Sequence, residues 1–119
     1  MEIKINKTVD RSVLEDVFVT ALEGGSNYWY YLPDRSIDAI RKAVPKSEDY
    51  FLSTAILKAI LDHDVKVPVN DAENEDEVIG VITRDTIQAR LQLLADSQYS
   101  ADTADIVFQY LTMGEVVYS

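Results

Sequence analysis

Val65-Lys66-Val67-Pro68-Val69 and Val78-Ile79-Gly80-Val81-Ile82 flank the segment Asn70-Asp71-Ala72-Glu73-Asn74-Glu75-Asp76-Glu77. The outer runs are short and rich in β-branched residues, as strands are, whereas the segment between them is too acidic to leave water. The pattern predicts a β-hairpin with an acidic tip. Pro68 lacks the N–H that a ladder requires, so the first strand is expected at a sheet edge. In a chain otherwise dominated by helical periodicity, this pair makes the fold α+β.

Working outward, residues 2–9 alternate Ile3, Ile5 and Val9 with polar positions, the period of an opening strand. Asp10 is a suitable N-cap for a helix with Val13, Leu14, Val17, Phe18, Ala21 and Leu22 on one face, ended by Gly24. A second helix is expected from Ser36 to Ala43, broken by Pro45. Ser47 is then expected to cap a longer helix whose buried stripe is Phe51, Leu52, Ala55, Ile56, Ala59 and Ile60. Beyond the hairpin, Thr83 caps a helix with Ile87, Leu91, Leu94 and Ala95 inward. Asp102 caps the last, with Asp105 at the reciprocal position of a capping box. That last helix is apolar nearly all round, which places it centrally or at a subunit interface. Gly114 ends it, and Val116-Val117-Tyr118 returns as a closing strand. The expected architecture is one small domain over residues 1–119, with about five helices and a short three- or four-stranded antiparallel sheet.

Composition narrows function. The net charge is −10, from 21 acidic and 11 basic residues. Nucleic acid is held mainly through Lys and Arg contacts to phosphate, so direct DNA or RNA binding is disfavoured. Beyond Arg90 there is no Lys or Arg; the one locally basic segment is Arg35 to Lys46. The absence of cysteine excludes disulfides, thiolate metal sites and cysteine nucleophiles. No apolar run reaches the roughly 20 residues of a membrane helix. Met1-Glu2-Ile3-Lys4-Ile5 is neither a basic leader nor an apolar signal core. The expectation is a soluble, cytoplasmic protein.

The candidate chemistries are weak. His63, the only histidine, lies between Asp62 and Asp64, but sequential neighbours do not face each other on a helix. The segment from Asp71 fails as a calcium loop: its sixth position is Asp76 instead of Gly and its twelfth is Ile82 instead of Glu. Gly24-Gly25 follows a helix and meets no phosphate-loop pattern. No catalytic residue, cofactor or metal ligand is assigned.

Asn27-Tyr28-Trp29-Tyr30-Tyr31 is more informative, placing the single Trp beside three of seven Tyr. Four consecutive large rings cannot all enter one small core, and such rings are enriched at interfaces. Asn27, Tyr28, Trp29, Tyr30 and Tyr31 are therefore candidate partner-binding residues. Asp71, Glu73, Glu75, Asp76 and Glu77 form a candidate acidic surface, which reads either as a solubilising face or as one that steers onto a basic protein. Stacking on bases is a lesser reading, kept open by the nearby basic segment.

Val19-Thr20-Ala21-Leu22-Glu23-Gly24-Gly25-Ser26-Asn27-Tyr28-Trp29 and Asp102-Thr103-Ala104-Asp105-Ile106-Val107-Phe108-Gln109, closing with Gly114-Glu115-Val116-Val117-Tyr118, resemble a family of small acidic proteins of bacteriophages and related mobile elements. Gly80 to Leu94 is similar more loosely. The resemblance implies a mobile-element setting and a bacterial cytoplasm, and carries no activity with it. The leading expectation is a non-enzymatic interaction protein that binds a host or phage protein through the aromatic segment and acidic surface, with nucleic-acid mimicry as one form. The alternatives are a small-molecule binding protein or enzyme with an aromatic pocket, and an assembly component forming a homo-oligomer through the last helix.

Overall fold

Asp10 begins the first helix as its residue type predicts, its carboxylate accepting from the Val13 N–H at 3.1 Å. The computed structural model describes residues 2–4, 8–97, 99 and 103–118. Helix α1 (Arg11–Thr20) buries Leu14, Val17 and Phe18. It runs into a wide turn, Ala21–Gly25, closed by the Ser26 N–H on the Ala21 carbonyl at 3.2 Å. Gly24 sits there at φ +134°, a conformation that L side chains rarely adopt. Before α1, the expected opening strand is instead two short antiparallel strands, β1 (Glu2–Lys4) and β2 (Thr8–Asp10), with Glu2 opposite Asp10. The middle of the expected strand, residues 5–7, lies outside the described residues.

Strand β3 (Tyr30–Tyr31), helix α2 (Asp34–Ala43), helix α3 (Leu52–His63), strands β4 (Val67–Asp71) and β5 (Val78–Ile82), and helices α4 (Arg84–Ala95) and α5 (Ala104–Met113) follow. The three strands form an antiparallel sheet in the order β3-β4-β5. The fold is α+β: among the described residues there are five α-helices and two small antiparallel sheets. Thr83 and Thr86 cap α4 reciprocally: the Thr83 Oγ1 accepts from the Thr86 N–H at 3.1 Å, and the Thr86 Oγ1 accepts from the Thr83 N–H at 2.9 Å. Helix α5 packs against α1, α4 and β5, and buries every residue from Val107 to Thr112. It is the central helix of the core. Gly114, at φ +78°, ends it.

Five expectations are corrected. Strand β4 is central, not an edge, because Pro68 sits where the missing N–H costs nothing. Pro68 faces Val81 on β5, while β3 reaches only Asn70 and Asp71. The Pro68 carbonyl points away from β5 and accepts from the Ser36 Oγ of α2 at 2.6 Å. Its nitrogen shares that side, where no strand needs a donor. The helix expected to start at Ser47 starts at Leu52. The Arg41 guanidinium donates to the carbonyls of Asp49 and Tyr50, both at 2.6 Å, and holds that stretch as a loop. Phe51, expected in the buried stripe, precedes the helix and is 62 % exposed.

The last two corrections concern the C-terminal third. Helix α5 begins at Ala104 after Thr103, and the Asp105 carboxylate serves other donors than a capping box; the expected cap, Asp102, lies outside the described residues. Val116 to Tyr118 form no strand. The buried Gln109 amide replaces the ladder: its Oε1 accepts from the Val117 and Tyr118 N–H groups at 2.9 and 3.0 Å, and its Nε2 donates to the Tyr118 carbonyl at 2.9 Å.

Sheet and α5 meet with no side chain between them at Gly80. A Cβ there would lie 2.0 Å from the Thr112 carbonyl oxygen and 2.7 Å from its carbon. Backbone cannot move aside as a side-chain tip can. Gly80→Ala is therefore expected to destabilise the fold by about 3 kcal/mol or more. Gly24→Ala, whose Cβ meets open space, is expected to lose only about 1–2 kcal/mol from backbone strain. Urea denaturation of the two variants against wild type checks the order.

Candidate functional site

The aromatic segment folds as a turn followed by a strand: the Trp29 N–H donates to the Ser26 carbonyl at 3.2 Å, and Tyr30 and Tyr31 pair with Asp71 and Asn70. This geometry separates the rings. Trp29 is 1 % exposed and belongs to the core; it stacks on Tyr118 with centroids 5.5 Å apart and an interplanar angle of 11°, and meets Phe108 at 5.5 Å. Tyr30 is half-buried, edge-to-face on Phe108 at 5.3 Å. Tyr31 is also partly buried, whereas Asn27 is exposed and Tyr28 is 48 % exposed. Of the five candidate contact residues, Asn27 and Tyr28 face solvent most fully, and Trp29 acts from beneath.

What orders this segment is Asp105, on the first turn of α5. Its Oδ1 accepts from the Ser26 Oγ at 2.6 Å and the Trp29 Nε1 at 2.8 Å; its Oδ2 accepts from the Tyr28 hydroxyl at 2.6 Å and the Gln109 Nε2 at 3.2 Å. Partial burial pushes the carboxyl up, but the donors from Ser26, Tyr28, Trp29 and Gln109 outweigh it and hold Asp105 below the ordinary value of 3.8. Desolvation of the Tyr28 hydroxyl, then its hydrogen bond and charge interaction with Asp105, push that phenol from 10.0 up to about 12. The carboxylate is saturated by the protein itself, which marks it as an organiser of the surface.

The acidic segment is the tip of the β4–β5 hairpin. Glu73, Glu75, Asp76 and Glu77 are exposed, and Asp71 is partly buried at its base. Backbone groups are held from inside: the Asn70 Nδ2 donates to the Glu75 carbonyl at 2.6 Å, and the Asp71 Oδ1 accepts from the Glu73 N–H at 2.9 Å. The Ala72 N–H donates to the Trp29 carbonyl at 3.0 Å. Acidic tip and aromatic turn are thus joined directly. Tyr118 reports the same proximity, since burial and then the charges of Asp71, Glu77 and Glu73 push its phenol up.

The other candidates come apart. His63 ends α3 in an exposed position. Its flanking carboxylates serve arginines elsewhere: Arg11 makes a bidentate pair with Asp62 at 2.7 and 2.6 Å, and Arg84 pairs with Asp64 at 3.2 Å. In the basic segment, Arg41 is committed to loop carbonyls. Among the described residues no three His, Asp or Glu side chains are grouped to hold a metal ion, and no helix is long and apolar enough to cross a membrane. Sequence reasoning missed Tyr50 and Phe51, an exposed edge-to-face pair with centroids 5.3 Å apart. The signal was present: two adjacent rings right after the Pro45–Asp49 turn, a place where large apolar residues need a reason to be. Comparisons of the chain with protein-family models, curated proteins and solved structures yield no match.

Two outcomes follow from the Asp105 network. Trp29→Ala is expected to destabilise the fold by about 3–5 kcal/mol, because it empties a core site and orphans a carboxylate bond. For Asp105, whose folded pKa is depressed, the contribution to stability is present above 3.8 and lost as pH falls through the folded value. For Tyr28, whose folded pKa is raised, it is present below 10.0 and lost as pH rises toward 12. Asp105→Asn should flatten the acid limb of a stability–pH profile and bring the Tyr28 phenolate absorbance in closer to pH 10.0. An unchanged acid limb would show that other carboxylates govern it.

Proposed function

We propose that this chain is a non-enzymatic interaction protein of phage or prophage type that binds a host or phage protein in the bacterial cytoplasm, through the aromatic turn and the acidic hairpin acting as one surface. One observation carries the proposal: the β3–β4 pairing and the Ala72–Trp29 hydrogen bond bring two segments remote in sequence together. On that surface, Asn27 and Tyr28 supply polar and aromatic contact, and Glu73, Glu75, Asp76 and Glu77 supply the field. Val117, exposed at the end of the segment held by Gln109, extends it. Rings that are rigid before contact lose little entropy on binding, which suits them as anchors. The resemblance of residues 19–29, 102–109 and 114–118 to proteins of mobile elements supports the phage setting.

The acids at the tip have no basic partner among the ion pairs of the described residues. An uncompensated field of this kind accelerates and orients encounter with a basic surface. It also favours one particular partner class, a protein that ordinarily grips a polyanion, with the hairpin in the place of nucleic acid.

The test is affinity capture from bacterial lysate with wild type, with a hairpin variant carrying Glu73→Gln, Glu75→Gln, Asp76→Asn and Glu77→Gln, and with Tyr28→Ser. The same stoichiometric partner should be retained by wild type and lost or weakened by both variants. Mimicry adds a steep salt response: affinity falling more than about tenfold between low and moderate ionic strength. A partner retained equally by all three proteins would sink the proposal.

A further inference from the structure

On another side of Tyr30, a cleft of ≈ 200 Å³ opens between the turn after α1 and the start of α3, lined by Leu22, Glu23, Tyr30, Phe51, Leu52 and Ser53. Phe51 in that lining is 62 % exposed and pairs edge-to-face with its neighbour Tyr50, 68 % exposed. Rings this exposed beside a concave surface are poorly explained by folding alone. The Glu23 carboxylate accepts from the Ser53 Oγ at 3.3 Å, and none of the ion pairs among the described residues includes it.

Aromatic faces beside a carboxylate that lacks a counter-charge are the chemistry that recognises an organic cation. The neighbouring ring outside the lining, Tyr50, already has a cation near it, the Lys46 Nζ 5.9 Å from its centroid. The net charge of −10 acts in the same direction. The start of α3, which has no side-chain cap, also borders the cleft. On its own it would favour an anion, but Glu23 already brings a negative charge to Ser53, and an anionic ligand would meet that charge. A planar guanidinium answers the walls better than an ammonium, since it stacks on rings and also bonds a carboxylate through two donors.

We propose that this cleft binds the side chain of an arginine presented by a basic protein partner, its guanidinium against Glu23 and the rings of Phe51 and Tyr30. The assignment rests on the interaction role proposed above and adds the chemistry of the partner. Leu22 and Leu52 receive the aliphatic stem.

The experiment is a ¹⁵N–¹H titration of the full chain with N-acetyl-arginine amide, and in parallel with N-acetyl-citrulline amide, which has nearly the same shape but no charge. Arginine should shift the amides of Leu22, Glu23, Leu52 and Ser53, with citrulline weaker by about tenfold. Glu23→Gln and Phe51→Ala should each reduce the arginine response; both side chains are exposed, so neither variant should unfold. No response, an equal response to citrulline, or shifts confined to the acidic hairpin would overturn the assignment. The two proposals fail separately. A partner lost with the hairpin variant but retained by Glu23→Gln removes only the cleft, whereas arginine in the cleft with no hairpin-dependent partner removes only the interaction surface.

Discussion

A single carboxylate accepts from four side chains, and the geometry of the aromatic turn descends from it. Ser26, Tyr28 and Trp29 all donate to Asp105, and they come from one four-residue turn that has no helix or ladder to define it. Each charge-assisted bond is worth more than a neutral one, about 1.5–3 kcal/mol, though part of that offsets the loss of water from a half-buried anion. Their joint effect is positional. With its indole N–H drawn to Asp105, Trp29 lies against Phe108 and Tyr118, and its carbonyl is left to accept from Ala72. That bond sets where β4 ends and the acidic tip begins. Gln109, one turn along α5, joins the same carboxylate to the C-terminal segment.

Charge is distributed in two distinct ways. Near the ends of α3, acids are engaged: Asp62 by Arg11, Asp64 by Arg84, and Asp49 by Lys58 at 3.1 Å. The two exposed pairs, Arg11–Asp62 and Arg84–Asp64, add little to stability individually, but they join α1, α3 and α4 and quench the local field. The hairpin tip has backbone order, and none of the ion pairs among the described residues includes its carboxylates. Repulsion among its carboxylates favours water and countercharge. Arg41 shows the contrast, since its cation is used on carbonyls inside a loop.

Local rules made much of the fold legible. Asp10, Thr83 and Gly114 each act on their own neighbours, so their roles as caps or stops follow from residue type and position. The β-branched runs of the hairpin mark strands by composition, and its acidic tip had no interior to enter. What escaped reading depends on distant partners. Pro68 is tolerated centrally because β3 is only two residues long and Ser36 of α2 serves its carbonyl. The loop before α3 is set by Arg41, and the strand expected at Val116 is pre-empted by Gln109. The candidate site divides the same way: the exposure of its acidic residues follows from charge alone, whereas the burial of Trp29 depends on Asp105 and Phe108, far along the chain. Phe51 erred in the opposite direction, for helical periodicity extended backward past the true start at Leu52 assigns an exposed ring to the core.

The clasp between Gln109 and the C-terminal segment has a consequence for how the molecule breathes. A ladder strand is released in steps, each bond failing while its neighbours hold. Here three backbone groups depend on one amide, and a single side-chain rotation frees all of them together. Such an opening is local and far less costly than global unfolding. The C-terminal segment is thus fastened at two points of different kind, a single amide that serves three backbone groups and a ring, Tyr118, laid flat on Trp29.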